Sequence, residues 1–262
     1  MARFKIYLEY EGTRYSGWQI QKNARTVQGE LMAALRKVFD AAALELYGSG
    51  RTDAGVHALA QAAHLDVETM LAPEIIRMKV NAALPPDINI IEVEKALRTF
   101  HARHDVESRS YLYQISRRRT AFGKRYVWWV REPLDVRAMR GAAALFTGMK
   151  DFRSFTDDDP EEKSTQVLID EIRIEEAGDL ILFRIAGSHF LWKLVRRIVG
   201  VLAEVGRGKL PAERIPGLFA STAELPARLT APPSGLFLER VCYPGDRRSA
   251  HLKPVLTITH ER

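Results

Sequence analysis

A glycine-rich turn between two strand-like segments most limits how this chain can fold. Residues 44–48 and 59–67 are strand-like, and the sequence GSGRTDAGVHALAQ at 48–61 brings three glycines between them. Glycine permits backbone angles and close approaches that a Cβ atom would forbid, so the turn can press against a ligand. A dinucleotide-binding turn would need a further glycine at a set offset and a following helix. A strand follows instead, which excludes that class of fold.

Strand-like and helical segments succeed one another in a similar order in both halves of the chain. Alternating apolar residues indicate strands, and apolar residues every three or four positions indicate helices. The predicted strands are residues 4–10, 44–48, 59–67, 88–93, 108–116, 167–174 and 180–186. The predicted helices are residues 27–41 with Thr26 as cap, a helix opened by Pro73, residues 135–146 and residues 190–205. We predict an α/β (α+β) protein with two similar halves, residues 1–105 and 106–243, and a polar, loosely attached C-terminal tail at 244–262.

The composition is that of a globular protein with an excess of basic residues. Lys and Arg number 39 against 33 Asp and Glu, a net charge of +6, which suggests a polyanionic partner. Cys242 is the only cysteine, so no intrachain disulfide can form, in keeping with a reducing compartment. The N-terminus lacks the apolar stretch of a signal peptide, and no run approaches the roughly 18 apolar residues of a membrane span. The sequence thus predicts a soluble cytoplasmic protein.

Asp53 is the one carboxylate in the glycine-rich turn. Arg51 lies two residues before it, and a neighbouring cation favours the ionised form of a carboxylate. An ionised Asp on a tight turn can act as a nucleophile. The alternative is a structural role, since glycine and aspartate are the commonest turn-forming residues. Composition alone favours that alternative.

Two clusters of basic residues are candidates for contact with a polyanion. The first, in the helix at 190–205, consists of Lys193, Arg196 and Arg197. The second, after the strand at 108–116, consists of Arg117, Arg118, Arg119, Lys124 and Arg125. Tyr111 and Tyr113 on that strand add aromatic rings, and cations with rings suit the phosphates and bases of a nucleic acid. The alternatives are a solvated basic face and ordinary strand packing, and we expect packing alone for one of the two tyrosines.

Several histidines raise the question of a metal site. His57, His64, His101 and His104, with Asp105, include one close run but lack the convergent spacing of a zinc site. The lysine motif of a phosphate-binding loop does not occur either. We therefore expect chemistry centred on a carboxylate, with no cofactor and no metal.

Seven blocks of sequence, in order along the chain, resemble the TruA family of tRNA pseudouridine synthases. They are YEGTRYSGWQIQ with TVQGEL at 10–31, GSGRTDAGVHALAQ at 48–61, NAALPPDI at 81–88, FHARHDVESRSYLY at 100–113, DFRSF at 151–155, FLWKLVRRIVG at 190–200 and APPSGLFLERVCY at 231–243. The series covers nearly the whole chain to about Tyr243. It changes the prediction for Asp53 from a turn residue to a nucleophile.

The resemblance implies a fold, an activity and the roles of four residues. The family isomerises uridine to pseudouridine at positions 38, 39 or 40 of the tRNA anticodon stem-loop, without a cofactor and as a homodimer. We expect mainly antiparallel sheets that meet around a basic central cleft, with helices on the outer faces. Asp53 matches the catalytic aspartate, and Tyr111 matches a tyrosine that contacts the target base and is a candidate for proton transfer. Arg51 matches an arginine that holds the base out of the stack, and Arg196 matches one that pairs with the catalytic carboxylate.

Two segments depart from the family pattern. Residues 189–194, HFLWKL, place Trp192 where the family has a different residue, so we expect this segment to pack differently. Residues 157–162, DDDPEE, form an acidic loop that would be unfavourable beside RNA. We expect the acidic loop to point away from phosphates or to contact a basic protein surface.

Two other functions stay open at this point. One is an RNA-binding protein that has this fold and no activity. The other is a glycosidase-like hydrolase with an Asp nucleophile, which would need a second catalytic carboxylate. Asp66 and Asp105 are the candidates for that second group.

Overall fold

The computed structural model describes residues 1–39, 43–220, 223–246 and 250–257. They form two compact units, each with its own strands and helices. The first unit combines Met1–Glu107 with Phe237–Asp246. The second combines Ser108–Leu236 with residues 250–257.

Strands and helices are mixed along the described part of the chain. The elements up to residue 107 are β1 (Ala2–Tyr10), α1 (Val27–Phe39), β2 (Leu44–Gly48), β3 (His57–Val67), α2 (Pro73–Ala83) and β4 (Ile88–Ala96). Those after it are β5 (Ser108–Ser116), β6 (Trp128–Trp129), α3 (Val136–Ala143), β7 (Gly148–Asp151), β8 (Gln166–Ala177), β9 (Leu180–Gly187), α4 (Leu194–Gly206), α5 (Gly217–Ala220), α6 (Leu225–Arg228) and β10 (Leu236–Cys242). The predicted α+β class is confirmed.

Strand β3 pairs with three other strands in the first unit. It is antiparallel to β1 along nearly its whole length and antiparallel to β2 over its second half. It is parallel to β10 at His57 and Ala58, and β1 pairs in turn with β4, antiparallel. Because β2 ends opposite Ala63, the turn that follows Gly48 begins beside the first half of β3.

Both helices of the first unit follow the predicted signals at their starts. The hydroxyl of Thr26 accepts a hydrogen bond from the backbone N–H of Gly29 at 3.2 Å, which confirms it as the cap of α1. Leu31 and Leu35, one turn apart, are fully buried. Pro73 opens α2, at a position where its missing N–H costs nothing. The predicted end of the first helix at Ala41 lies outside the described residues.

The second unit is built on the sheet order β5, β9, β8, β7, all antiparallel, with β6 parallel to β5. Every residue of β9 is buried, as expected of a strand with a neighbour on each edge. Helix α4 is buried along most of its 13 residues and packs against α3. Neither α4 nor any other helix among the described residues is long and apolar enough to cross a membrane.

The chain after residue 235 is distributed differently from the predicted division. Strand β10, in the stretch predicted for the second half, pairs with β3 and joins the first unit. Residues 250–257, in the predicted tail, join the second unit, where the N–H of Val255 donates to Oε1 of Gln114 at 2.8 Å and Leu252 is buried. Contacts between residues far apart in sequence decide both placements, and local sequence patterns do not report such contacts.

Candidate active site

Backbone hydrogen bonds fix the turn that carries Asp53. The N–H of Trp18 donates to the carbonyl of Thr52 at 3.1 Å, and the N–H of Gly55 donates to the carbonyl of Tyr15 at 3.3 Å. Within the turn, the N–H of Val56 donates to the carbonyl of Asp53 at 3.1 Å. The segment between β1 and α1 therefore holds the backbone on both sides of Asp53.

Glycines allow the close approach of these two segments. Gly17 has φ of +88°, and a Cβ atom there would lie 2.5 Å from the carbonyl oxygen of Thr52. A Cβ at Gly48 would lie 2.6 Å from the indole of Trp18, which is itself buried. Gly48 thus makes room for a tryptophan rather than for a ligand. The contacts of Gly17 and Trp18 with this turn were not predicted from the sequence, although both residues stand in the matched block YSGWQ.

Side-chain hydrogen bonds stiffen the turn further. The hydroxyls of Thr52 and Tyr10 lie 2.8 Å apart, and both residues are buried. Ser49 donates to Oε1 of Gln61 at 2.6 Å, and Nε2 of Gln61 donates to the carbonyl of Gly50 at 3.1 Å. Buried polar groups that are satisfied in this way make a loop rigid. Asp53 itself is partly exposed, so a rigid support presents its carboxylate.

Arg51 and His57 lie on either side of Asp53 in the sequence, and they differ in exposure to solvent. Arg51, two residues earlier, is exposed at the surface of the first unit. His57 is buried, its Nδ1 accepts a hydrogen bond from the N–H of Gly12 at 2.9 Å, and its ring stacks on Phe237 with centroids 4.7 Å apart. The exposed side chain of Arg51 can therefore reach a ligand. His57 instead packs beneath the turn, against Gly12 and Phe237.

The two candidate tyrosines of β5 differ in their contacts. Tyr113 is fully buried, its hydroxyl donates to the carbonyl of Pro232 at 2.8 Å, and burial raises its pKa well above the usual value. It is a packing residue, as predicted for one of the pair. Tyr111 is 9% exposed and meets the ring of Phe190 edge to face, with centroids 4.8 Å apart. That edge contact packs the Tyr111 ring against Phe190.

Arg196 stands in the first turn of α4 and is tethered to the chain beside it. Its Nε donates to the carbonyl of Ala231 at 2.7 Å, and the N–H of Ala231 donates to the carbonyl of Arg196 at 3.1 Å. A Cβ atom at Gly200, one turn further on, would collide with the carbonyl oxygen of Leu229. The helix therefore lies directly on this segment, which orients the partly exposed guanidinium of Arg196.

The other two cations of the α4 cluster are bound by the acidic loop. Asp157 forms ion pairs with Lys193, at 2.7 Å, and with Arg197, which is buried. Oδ2 of Asp158 accepts a hydrogen bond from the N–H of Trp192 at 2.9 Å. Burial raises the pKa of Asp157, but the hydrogen bonds from Lys193 and Arg197 outweigh it and hold the pKa below its usual value. The expectation that the acidic loop contacts a basic protein surface is confirmed, and Arg197 is not part of a solvated basic face.

Ion pairs also bind part of the second basic cluster. Arg117 pairs with Glu176, and Nε of Arg118 pairs with Asp179 at 2.6 Å. Arg119 is exposed, as are Lys124 and Arg125. Ion pairs with Glu176 and Asp179 therefore hold the first two residues of this cluster, and Arg119, Lys124 and Arg125 follow them along the chain.

The two candidate second carboxylates lie at the wrong end of β3 for a hydrolase. Asp66 is nine residues along the strand from His57, roughly 30 Å at the rise of a β-strand, and pairs with Arg3 at 2.8 Å. Asp105 accepts a hydrogen bond from the N–H of His101, next to Ala102, whose N–H donates to His64. Glycosidases hold their two carboxyl groups within about 10 Å. Neither residue can therefore serve Asp53 as a partner.

The histidine cluster at that end of β3 is a packed aromatic group. The rings of His64 and His101 lie 4.7 Å apart and those of His101 and His104 lie 4.2 Å apart. Burial, with the nearby charges of Arg3 and His101, lowers the pKa of His64 to about 4. Within the described ranges, no three His, Cys, Asp or Glu side chains are grouped so as to hold a metal ion.

Comparison with known proteins identifies the family. A family model described as tRNA pseudouridine synthase matches residues 6–105 and 142–244. A tRNA pseudouridine synthase A of Thermodesulfovibrio yellowstonii is 38% identical to this chain and covers 93% of it and 100% of its own length. A protein of the same name from Myxococcus xanthus is 39% identical and covers 93% of this chain and 92% of its own length. Another from Halalkalibacterium halodurans is 37% identical and covers 92% of this chain and 92% of its own length. The chain belongs to the tRNA pseudouridine synthase family, which confirms the resemblance.

Proposed function

We propose that this protein isomerises uridine to pseudouridine in tRNA and that Asp53 is the nucleophile. The observation that carries the proposal is the position of Asp53, a partly exposed carboxylate on a turn whose backbone is fixed on both sides. A reacting group held in one geometry speeds the reaction, because the entropy cost of orienting it is not part of the activation barrier. Membership of the family supplies the reaction class.

The reaction can be balanced without a cofactor. The bond from ribose C1′ to uracil N1 breaks, the base turns while it is held, and C5 bonds to C1′. C5 loses a proton and N1 gains one, so the product is an isomer of the substrate. Asp53 starts this sequence either by adding to C1′ or by driving elimination to a glycal. Both routes need an ionised carboxylate next to the sugar.

Three further residues complete the proposed site. Tyr111 contacts the target base and takes part in proton transfer, and its edge contact with Phe190 supports a fixed ring plane. Arg51, exposed two residues before Asp53, holds the base out of the stack. Arg196 pairs with the carboxylate, and its Nε bond to Ala231 supports one orientation of the guanidinium. Extruding a nucleotide costs on the order of a few kcal/mol, which contacts with basic residues offset.

The substrate and assembly follow the family expectation. We propose uridines 38, 39 or 40 of the anticodon stem-loop as targets and a homodimer in the cytoplasm, in which each chain forms a basic cleft with Asp53 at its floor. A dimer lets one tRNA contact both copies of the chain. Light scattering should give twice the mass of 29.7 kDa at micromolar concentration. A monomer mass across that range would contradict the dimer.

One assay separates the proposed function from the two alternatives. Unmodified tRNA is incubated with the protein and then digested, and pseudouridine and released uracil are measured by chromatography. An isomerase yields pseudouridine, a hydrolase yields free uracil, and an inactive RNA-binding protein yields neither while still retaining tRNA on a filter. Absence of pseudouridine from the wild-type reaction would refute the proposal.

A further inference from the structure

The segment between β5 and β6 presents a basic surface that the proposed reaction at Asp53 does not use. Residues 117–129, which end with β6, contain five Lys and Arg and no Asp or Glu. We call residues 117–129 the basic loop. Tyr111 and Ser116 are five residues apart on β5, so the loop begins roughly 17 Å from Tyr111. The start of the loop is therefore separated from the nucleotide that we propose Tyr111 contacts.

Both ends of the basic loop are anchored. At its start, Arg117 pairs with Glu176, Arg118 pairs with Asp179, and the N–H of Arg117 donates to the carbonyl of Asp179 at 2.9 Å. Near its end, Nε2 of Gln114 donates to the carbonyl of Tyr126 at 2.8 Å. Both ends of the basic loop are therefore held in place. The carboxylates that pair with Arg117 and Arg118, those of Glu176 and Asp179, lie outside the loop.

The tip of the basic loop exposes a phenyl ring. Phe122 is 88% exposed. The turn around it is held by a hydrogen bond from the Thr120 hydroxyl to the Phe122 carbonyl at 2.7 Å and by one from the Tyr126 N–H to the Gly123 carbonyl at 2.9 Å. Gly123 has φ of +71°, a conformation that glycine adopts without strain. Local structure thus keeps an apolar ring in water, where covering it is favourable.

A second ring and three cations accompany Phe122. Trp129 is 43% exposed, and the guanidinium carbon of Arg119 lies 5.9 Å from the centroid of its ring. Arg119, Lys124 and Arg125 are all exposed. A single exposed aromatic residue is ordinary on a protein surface. This anchored loop combines two exposed rings with three exposed cations. Single-stranded nucleic acid matches that combination, because its bases stack on aromatic rings and its phosphates pair with cations.

We propose that the basic loop binds single-stranded RNA, with bases stacked on Phe122 and Trp129 and phosphates at Arg119, Lys124 and Arg125. As part of the proposed function, the bound RNA is an unpaired stretch of the tRNA substrate away from the target nucleotide. The loop contributes affinity and position, while the reaction takes place at Asp53.

The test measures binding of a fluorescein-labelled oligouridine RNA by anisotropy. Phe122→Ala should weaken binding by about 5- to 100-fold, the range found when a stacking ring is removed. Lys124→Gln should lower the slope of log K against log salt by about 0.7, the loss of one phosphate contact on a single strand. Met70→Ala is the matched control, because Met70 is a fully exposed apolar residue of the first unit, and it should bind as the wild type does.

The outcomes separate this proposal from the proposed function. Binding by Phe122→Ala equal to that of the wild type, or an equal loss in Met70→Ala, would overturn the role of the basic loop even if pseudouridine is formed. A selective loss in Phe122→Ala would support the loop even if the wild type forms no pseudouridine. Where pseudouridine is formed, Phe122→Ala should raise KM for tRNA and leave kcat unchanged.

Discussion

Nζ of Lys193 donates a hydrogen bond to Oδ2 of Asp157 at 2.7 Å, and this contact joins the two segments that depart from the family pattern. Lys193 precedes α4 and has φ of +63°, a left-handed conformation that is uncommon for a residue with a Cβ atom. The same carboxylate pairs with Arg197 in the first turn of α4. The acidic loop is therefore a clamp on the start of the helix that carries Arg196.

Asp157→Asn should release this clamp. Loss of the charge leaves the buried guanidinium of Arg197 without its carboxylate partner, and we expect the free energy of unfolding to fall by about 1–3 kcal/mol. Arg196 lies between the two clamped cations, so kcat for pseudouridine formation should fall by about tenfold while the Kd for tRNA stays the same. Urea unfolding and single-turnover kinetics measure the two effects.

The matched control for the clamp is Glu162→Gln, which removes one charge from an exposed position of the same acidic loop. It should leave both stability and kcat unchanged. Asp157→Glu, which keeps the charge, should recover part of the lost activity. Equal effects of Asp157→Asn and Glu162→Gln would mean that the loop acts only through its overall charge.

Gly17→Ala should disturb the turn that carries Asp53. The added methyl group meets the Thr52 carbonyl at 2.5 Å, and alanine disfavours a φ of +88°. We expect a loss of about 1–3 kcal/mol in the free energy of unfolding and about a 100-fold lower kcat, because a displaced nucleophile misses its geometry. Gly141→Ala is the control, since nothing lies within 4 Å of a Cβ there. It should stabilise α3 by about 0.5–1 kcal/mol and leave activity intact, and an unchanged kcat in Gly17→Ala would refute the rigid-turn argument.

His64 should make stability depend on pH. Its pKa in the folded protein is about 4, below the ordinary 6.5, because burial disfavours the charged ring. The unfolded chain then binds more protons between these values, so the free energy of unfolding falls as the pH is lowered through that window. Between pH 7 and pH 5 we expect this residue to account for a loss of about 1–2 kcal/mol.

His64→Asn removes the titration and keeps an acceptor for the N–H of Ala102, which donates to Nδ1 of His64 at 3.1 Å. Urea unfolding at the two pH values should show a smaller loss for this variant than for the wild type. His104→Asn, at an exposed position, should retain the wild-type dependence. An unaltered pH dependence in His64→Asn would rule out His64 as its source.

The sequence was most informative where the chemistry of a segment is local. Asp53 on a glycine-rich turn, Thr26 as a helix cap and the attraction of the acidic loop to a basic surface all follow from neighbouring residue types, and the structure places Thr26 and Asp157 accordingly. Charge alone could not show that Arg197 is buried against Asp157, because a basic residue on a helix face is normally solvated.

Long-range contacts were the part that local patterns could not provide. Pairing of β10 with β3 brings together residues about 180 positions apart in the chain, and no periodicity in either strand reports it. The same holds for Gly17, whose need for glycine arises from the carbonyl of Thr52 on another segment. The blocks of sequence shared with the family contain such residues but do not explain them. The structure shows the contact that requires each one.

The most direct test of the account is the turnover of Asp53→Asn, which keeps the size of the side chain and removes its charge. The purified variant is incubated with unmodified tRNA, and pseudouridine and tRNA affinity are measured on the same preparation. We predict no pseudouridine above background and a Kd for tRNA within a few-fold of the wild-type value. Pseudouridine formation by Asp53→Asn at a rate close to that of the wild type would contradict the central claim.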